Sequence, residues 1–248
     1  MTMTTATDLD GYPQGNRGHL SPRQDSLLMS GDVFVLHRFY RHLIPLLKGS
    51  TRVLNLGSGI AFAFEQSVHS LNPCIEMWSI DRLEPQRVPK GVTRFIKADI
   101  EKDLPSSDWG VFDVVCAFEV IEHVDMTDAV IRNAAKLCRP NGSVVISFPN
   151  LASAYGRLEL LMGLQPHVVE VSNERANFGS GWFGRYNNPT DVPIHHIRGI
   201  TTRAGRELLT YHGLSIRQLI GTSHGRFEWL WRLIPGIAPV NVVVAQKL

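Results

Sequence analysis

The residues best suited to chemistry fall into three groups along the chain. Gly57, Ser58 and Gly59 directly follow the apolar run Val53 to Leu56 and precede a helical pattern. Glycine there permits a tight turn and close approach of a ligand to the backbone, and the helix behind it offers free N–H groups. Asp81 and Asp99 each stand at the end of a later apolar run, where a carboxylate accepts hydrogen bonds from ribose hydroxyls or rests as a solvated strand end. Glu119, Glu122 and His123 form the third group, with His195, His196 and Arg198 further on. The i, i+3, i+4 spacing of the first three puts them on one face if the chain turns helically there. Adjacent histidines point apart, so at most one of His195 and His196 faces a site. Tyr155, Trp182, Phe183 and Tyr186 are aromatic surfaces for stacking or packing.

These groups need a scaffold that brings strand ends together. Apolar runs at Arg52 to Leu56, Ile75 to Ile80, Thr93 to Ala98, Phe112 to Phe118 and Ser143 to Ser147 read as strands. Helical patterns separate them, one from about Ala61 to Ser70 and one capped by Thr127, with Ile131, Ala134, Ala135 and Cys138 on one face. Pro140, Asn141 and Gly142 stop that second helix. Such alternation implies a doubly wound, Rossmann-like α/β sheet, mostly parallel, in three αβα layers. Ligands then bind beyond the carboxyl ends of the strands. The late runs LSIRQLI and VNVVVAQ suit an antiparallel pair at one sheet edge, giving an antiparallel C-terminal edge strand.

The remaining segments suit accessory roles. Residues 1–30 are polar and read as a flexible arm, ahead of a single domain over 31–248. Asp32 caps a helix carrying Leu36, Phe39, Tyr40, Leu43 and Leu47, ended by Gly49 and Ser50. Between residues 151 and 200 a helix from Ser153 to Met162 leads into the Gly- and Asn-rich stretch NERANFGSGWFGRYNNPTD. A loop this long inside a compact domain is a lid or a binding loop. A further helix runs from about Thr202 to His212.

Bulk properties exclude several classes. The 248 residues are 44% apolar and 19% charged, with a net charge of +2. That balance gives no basic surface for nucleic acid. No secretory leader is visible in MTMTTATDLD, and the apolar stretch near Ile234 to Ala245, interrupted by Pro235 and Pro239, is too short for a membrane span. Cys74, Cys116 and Cys138 lack metal-site spacing and read as reduced thiols, in keeping with a cytoplasmic location. A homodimer is left open.

The ordered motifs resemble class I S-adenosylmethionine-dependent methyltransferases, in the small-molecule branch with an EVxEH loop. The match runs through VLNLGSGIA at 53, SID at 79, KADIEKDLP at 97, FDVVCAFEVIEHV at 112 and LCRPNGSVVISFPN at 137. It continues loosely through HHIRGITTRAGRELLTYHGL at 195. The resemblance implies S-adenosyl-L-methionine as cofactor. Asn55, Gly57, Ser58 and Gly59 would surround its methionine part, Asp81 with Arg82 the ribose, and Asp99 and Ile100 the adenine. Phe118 and Glu119 would line the methyl-donor side. Two departures stand out, since the family usually carries an acid where Asn55 lies and a glycine where Ala61 lies.

His123 and His196 are the catalytic candidates. A trio like Glu119, Glu122 and His123 is thought to hold a divalent metal in relatives acting on quinone precursors. Here the favoured expectation is that Glu122 and His123 brace the loop, with no metal assigned. The expected reaction is methyl transfer to an oxygen of a small molecule or glycan. The alternative is an inactive cofactor-binding or scaffold protein, which Asn55 and Ala61 favour. A nicotinamide enzyme is disfavoured because Phe62 occupies the third glycine position of that fingerprint.

Overall fold

A computed structural model describes residues 43–223 and 228–248. The expected arm and the Asp32 cap lie outside the described residues. The first described helix, α1 (Ile44–Lys48), ends at Gly49, as the sequence implies. Then follow β1 (Arg52–Leu56), α2 (Ala63–Leu71), β2 (Glu76–Asp81), β3 (Arg94–Lys97), α3 (Ser106–Trp109), β4 (Phe112–Phe118), α4 (Thr127–Leu137) and β5 (Cys138–Pro149). Beyond these come α5 (Ala154–Leu161), α6 (Gly181–Asn187), α7 (Thr202–Tyr211), β6 (Leu214–Thr222), α8 (Glu228–Leu233) and β7 (Val240–Lys247).

The strands form one sheet in the order β3-β2-β1-β4-β5-β7-β6. Pairings from β3 across to β5 are parallel, whereas β7 runs antiparallel to both β5 and β6. The expected antiparallel C-terminal strand is thus β7, which enters between β5 and the outermost β6. Strand order reverses between β1 and β4, so the loops after these two strands part there and leave a crevice.

Strand periodicity sorts the core into two layers. Leu54, Leu56, Val115, Ala117, Val144 and Ile146 face α4 and α7, meeting Val130, Ile131, Ala134 and Leu209. Val53, Val114, Cys116, Val145, Val242 and Val244 face α1 and α2, meeting Leu47, Phe64 and Val68. Leu54 is fully buried, and its truncation to alanine would cost about 2–5 kcal/mol. Asn55 lies in the buried stretch of β1, between Leu54 and Leu56, so its side chain must find a polar partner inside the fold.

Three local expectations are corrected. Thr127 is the first helical residue of α4, and Met126 occupies the cap without a side-chain bond. The Met126 N–H instead donates to the Glu101 carboxylate at 2.7 Å. Pro140-Asn141-Gly142 forms part of β5, where Asn141 takes φ +59 and the register against β4 shifts. The stretch expected to be loop contains α6, although glycine disfavours helix. Gly184 is required within it, because a Cβ there would lie 2.5 Å from Ser180 and 2.6 Å from Asn177. Among the described residues no helix is long and apolar enough to cross a membrane.

Candidate active site

At the carboxyl end of β1 the chain must turn sharply under the loop that follows β4. Gly57 takes φ +74, and a Cβ on it would lie 2.6 Å from Val120, so both conformation and space require glycine. Gly59 takes φ +63, with nothing within 4 Å of its missing Cβ, so this part of the turn borders open space. The N–H groups of Gly57 and Ser58 donate to the Ile80 carbonyl at 2.8 and 3.2 Å, which ties the turn to the end of β2. Asp81 completes the tie. Its carboxylate accepts from Gly59 N–H at 2.8 Å and from Leu83 N–H at 2.8 Å. Arg82 is exposed beside it. Asp99, past β3, accepts from Glu101 N–H at 3.0 Å, and Ile100 is half-buried next to it.

Below the turn, Asn55 donates from Nδ2 to Glu65 Oε1 at 2.8 Å, and Ser79 Oγ donates to the same oxygen at 2.7 Å. Glu65 is fully buried on α2. Burial pushes its carboxyl pKa upward against the lowering effect of those two bonds. Asn55 Oδ1 and Glu65 Oε2 are both buried without a hydrogen-bond partner. Glu65 was missed in the sequence. The available signal was an acid beside Phe64 in the first turn of a helix whose neighbours face the sheet.

The β4 end forms the opposite wall. Phe118 is half-buried, its ring 4.7 Å from that of Phe64. Glu119 adopts φ +51, a backbone state that non-glycine residues hold only where surroundings enforce it. Ser147 enforces it from β5, accepting from Glu119 N–H at 3.0 Å while its hydroxyl donates to Glu119 Oε1 at 2.7 Å. Desolvation raises the Glu119 pKa, and the Ser147 bond opposes this.

Glu122 and His123 do not gather with Glu119 on a helical face. Residues 121–123 make a single turn, with His123 N–H donating to the Val120 carbonyl at 3.0 Å. The third member of their group is His196. Its Nε2 and the His123 Nε2 both lie 3.9 Å from Glu122 Oε1. The two rings meet edge to face, 4.7 Å apart. Each ring also reaches a backbone carbonyl through Nδ1, His123 to His195 and His196 to Val168, both at 3.0 Å. Carbonyls only accept, so both rings carry their proton on Nδ1 and leave a lone pair on Nε2. Burial, and then the charge of His123, lowers the His196 pKa to about 4. Burial lowers that of His123 as well. Burial, and then Glu119, raises the pKa of Glu122. Glu122 is 1% exposed, and neither of its carboxyl oxygens has a hydrogen-bond partner.

This cluster is assembled by the returning segment rather than by local spacing. Ile197 and Arg198 N–H groups donate to the Glu122 carbonyl at 3.0 and 3.2 Å. The Arg198 guanidinium donates to the Val124 carbonyl at 2.9 Å and to the Asp125 carbonyl. Glu170 accepts from Ile194 and His195 N–H groups at 2.8 and 2.6 Å, fixing His195 at φ +62. One histidine of the pair therefore faces the cluster, and the other contributes its carbonyl. Of the aromatic candidates, Phe183 is buried and stacked on Trp182 at 3.9 Å. Tyr155, Trp182 and Tyr186 are exposed. A hollow of about 540 Å³ lined by Arg203, Arg206, Glu207, Thr210, Tyr211 and Ile216 lies between α7 and the start of β6. It is remote from the strand ends that carry these groups.

Comparison with known proteins places the chain in a family. A family model for a methyltransferase domain matches residues 33–219. Among curated sequences none matches the chain. The fold resembles that of an S-adenosylmethionine-dependent methyltransferase from Archaeoglobus fulgidus, at 17% identity and TM-score 0.55, covering 91% of this chain and 99% of that one. It also resembles an O-methyltransferase family 2 protein from Planctomyces limnophilus, in complex with apigenin, at 16% identity and TM-score 0.57. A third similar structure is the pyocyanin biosynthetic protein PhzM, at 15% identity and TM-score 0.56. This chain is covered to 91% in both of these cases but spans only 61% and 58% of the two proteins. The chain belongs to the methyltransferase-domain family, as a class I S-adenosylmethionine-dependent methyltransferase.

Proposed function

We propose that the protein methylates an oxygen of a cytoplasmic small molecule or glycan, with the acceptor placed at the His123–His196–Glu122 cluster. The observation that carries this reading is the pair of Nε2 lone pairs converging on a buried carboxyl just beyond β4. An alcohol oxygen must lose its proton to attack well, and a neutral imidazole within reach can take it. The O-methyltransferase neighbour with apigenin bound supports an oxygen acceptor.

The crevice between the β1 and β4 loops fits the cofactor. Gly57, Ser58 and Gly59 give a turn a ligand can approach, and the orphaned oxygens of Asn55 and Glu65 lie beneath it. In this reading Asn55 and the turn receive the methionine part. Asp81, with Arg82 alongside, accepts the ribose hydroxyls. Asp99 and Ile100 frame the adenine, while Phe118 and Glu119 border the methyl donor. S-adenosyl-L-methionine supplies an electrophilic methyl group on a sulfonium. The protein's share is alignment, exclusion of water and acceptance of the acceptor's proton.

The inactive-scaffold reading draws on Asn55, which removes an acid from β1. Glu65 weakens it, because α2 returns a carboxyl to the same place. An acceptor screen with isotopically labelled cofactor tests the proposal. Labelled ether product is the expected result, and product on nitrogen or carbon alone would overturn it.

A further inference from the structure

We propose that Glu122, His123 and His196 bind one divalent transition-metal ion, zinc by preference, and that this ion takes the acceptor's oxygen as its next ligand. Three groups converge here, and each offers a lone pair without a hydrogen. Both imidazoles have committed Nδ1–H to a backbone carbonyl. This is the arrangement that orients metal-binding histidines, because it fixes the tautomer and turns Nε2 toward the ion. One ring nitrogen of each histidine and a carboxylate oxygen of Glu122 all lie within 4.8 Å of one another.

The carboxyl supplies an independent argument. Glu122 is 1% exposed, and both its oxygens lack a donor. Buried polar groups are normally satisfied. The two imidazole Nε2 atoms stand 3.9 Å from Glu122 Oε1, beyond hydrogen-bond reach. A proton on Glu122 would serve one acceptor of the three, whereas a single cation serves all of them.

The donor set selects the ion. Two imidazoles with one carboxylate suit zinc or another divalent transition metal, while magnesium prefers oxygen donors alone. Bonds of about 2.0–2.1 Å in tetrahedral geometry need donor atoms about 3.4 Å apart. Closing separations of up to 4.8 Å to that spacing takes side-chain shifts of up to about an ångström. The His123 side chain is 35% exposed, which leaves a path for entry. Three protein donors leave the fourth position open, as in catalytic zinc sites.

The chemistry balances without another reagent. The acceptor hydroxyl binds the ion, which lowers its pKa, and its proton passes to water. The oxygen forms a bond to the methyl carbon as the carbon–sulfur bond breaks, and that electron pair stays on sulfur. The products are a methyl ether, a thioether and one proton. In the loaded protein the Nε2 lone pairs are committed to the ion, and its charge replaces the imidazole as the means of ionising the acceptor. This last step rests on the functional reading above, whereas ion binding does not.

The test uses the full chain, stripped with a chelator and titrated with zinc chloride in a calorimeter, with melting temperature as second readout. One zinc per chain at micromolar affinity or tighter is expected, together with a raised melting temperature. Glu122→Gln and His196→Ala should each weaken zinc at least tenfold while still binding S-adenosylhomocysteine, which certifies their fold. His123→Asn should behave likewise. No zinc uptake by the unaltered chain, or equal uptake by chain and variants, would overturn the site. Stoichiometric zinc without methylation of any acceptor would overturn the functional reading and leave the metal site standing.

Discussion

The two walls of the crevice are built differently. The β1–β2 wall is held by the N–H groups of the turn, with Gly57 and Ser58 tied to the Ile80 carbonyl and Gly59 to the Asp81 carboxylate, 22 positions away. The His123–His196 wall joins two segments, with the His195 carbonyl orienting His123 from 72 positions away and the Val168 carbonyl orienting His196 from 28. The first wall is a property of the sheet. The second exists only when the segment from Leu151 to Arg198 has docked, so a family can keep the cofactor site while that segment varies.

If the two walls do separate tasks, they should fail separately. The largest effect is expected for His196→Ala, which should lower turnover by about 10²–10⁴-fold through loss of its lone pair at the acceptor. Steady-state kinetics would show it, with affinity for S-adenosylhomocysteine unchanged. Gly57→Ala should act on the other wall. A methyl at φ +74, 2.6 Å from Val120, should destabilise the fold by about 2–3 kcal/mol and weaken cofactor binding. Urea denaturation measures the first effect and calorimetry the second.

Smaller effects belong to the scaffold at the opposite end of the sheet. Partial burial of Asp113 opposes its ionisation, but the backbone N–H groups of Arg52 and Thr51, the Arg139 guanidinium and the Thr51 hydroxyl together hold its pKa well below the usual value. A depressed carboxylate contributes stability above its unfolded pKa near 4, and that stability is lost as pH falls toward the folded value. Asp113→Asn should therefore cost about 1–2 kcal/mol at neutral pH and progressively less below pH 4. Melting temperatures across pH would show the two curves converging in acid, with neither crevice wall changed at pH 7.

Legibility from sequence followed the same division. Strand ends and the glycine turn could be read because their determinants are local, and β4 (Phe112–Phe118) matches its expected bounds residue for residue. The grouping of Glu119 with Glu122 and His123 could not, since the left-handed backbone at Glu119 and its bond to Ser147 depend on β5. Helix α6 was hidden because Gly181 and Gly184 speak against a helix, while tertiary packing against Ser180 and Asn177 demands a residue without a side chain. The partnership of Asn55 with Glu65 was illegible too. It follows from which face of β1 meets α2, which only the folded sheet decides.

The most direct measurement is a calorimetric titration of S-adenosylhomocysteine into the unaltered chain, Asp81→Ala and His196→Ala under one buffer. Asp81 anchors the turn through Gly59 N–H and would accept the ribose, so its loss should weaken binding by about 10²-fold. His196→Ala should bind like the unaltered chain. Equal loss in both variants would contradict the division of the crevice into a cofactor wall and an acceptor wall.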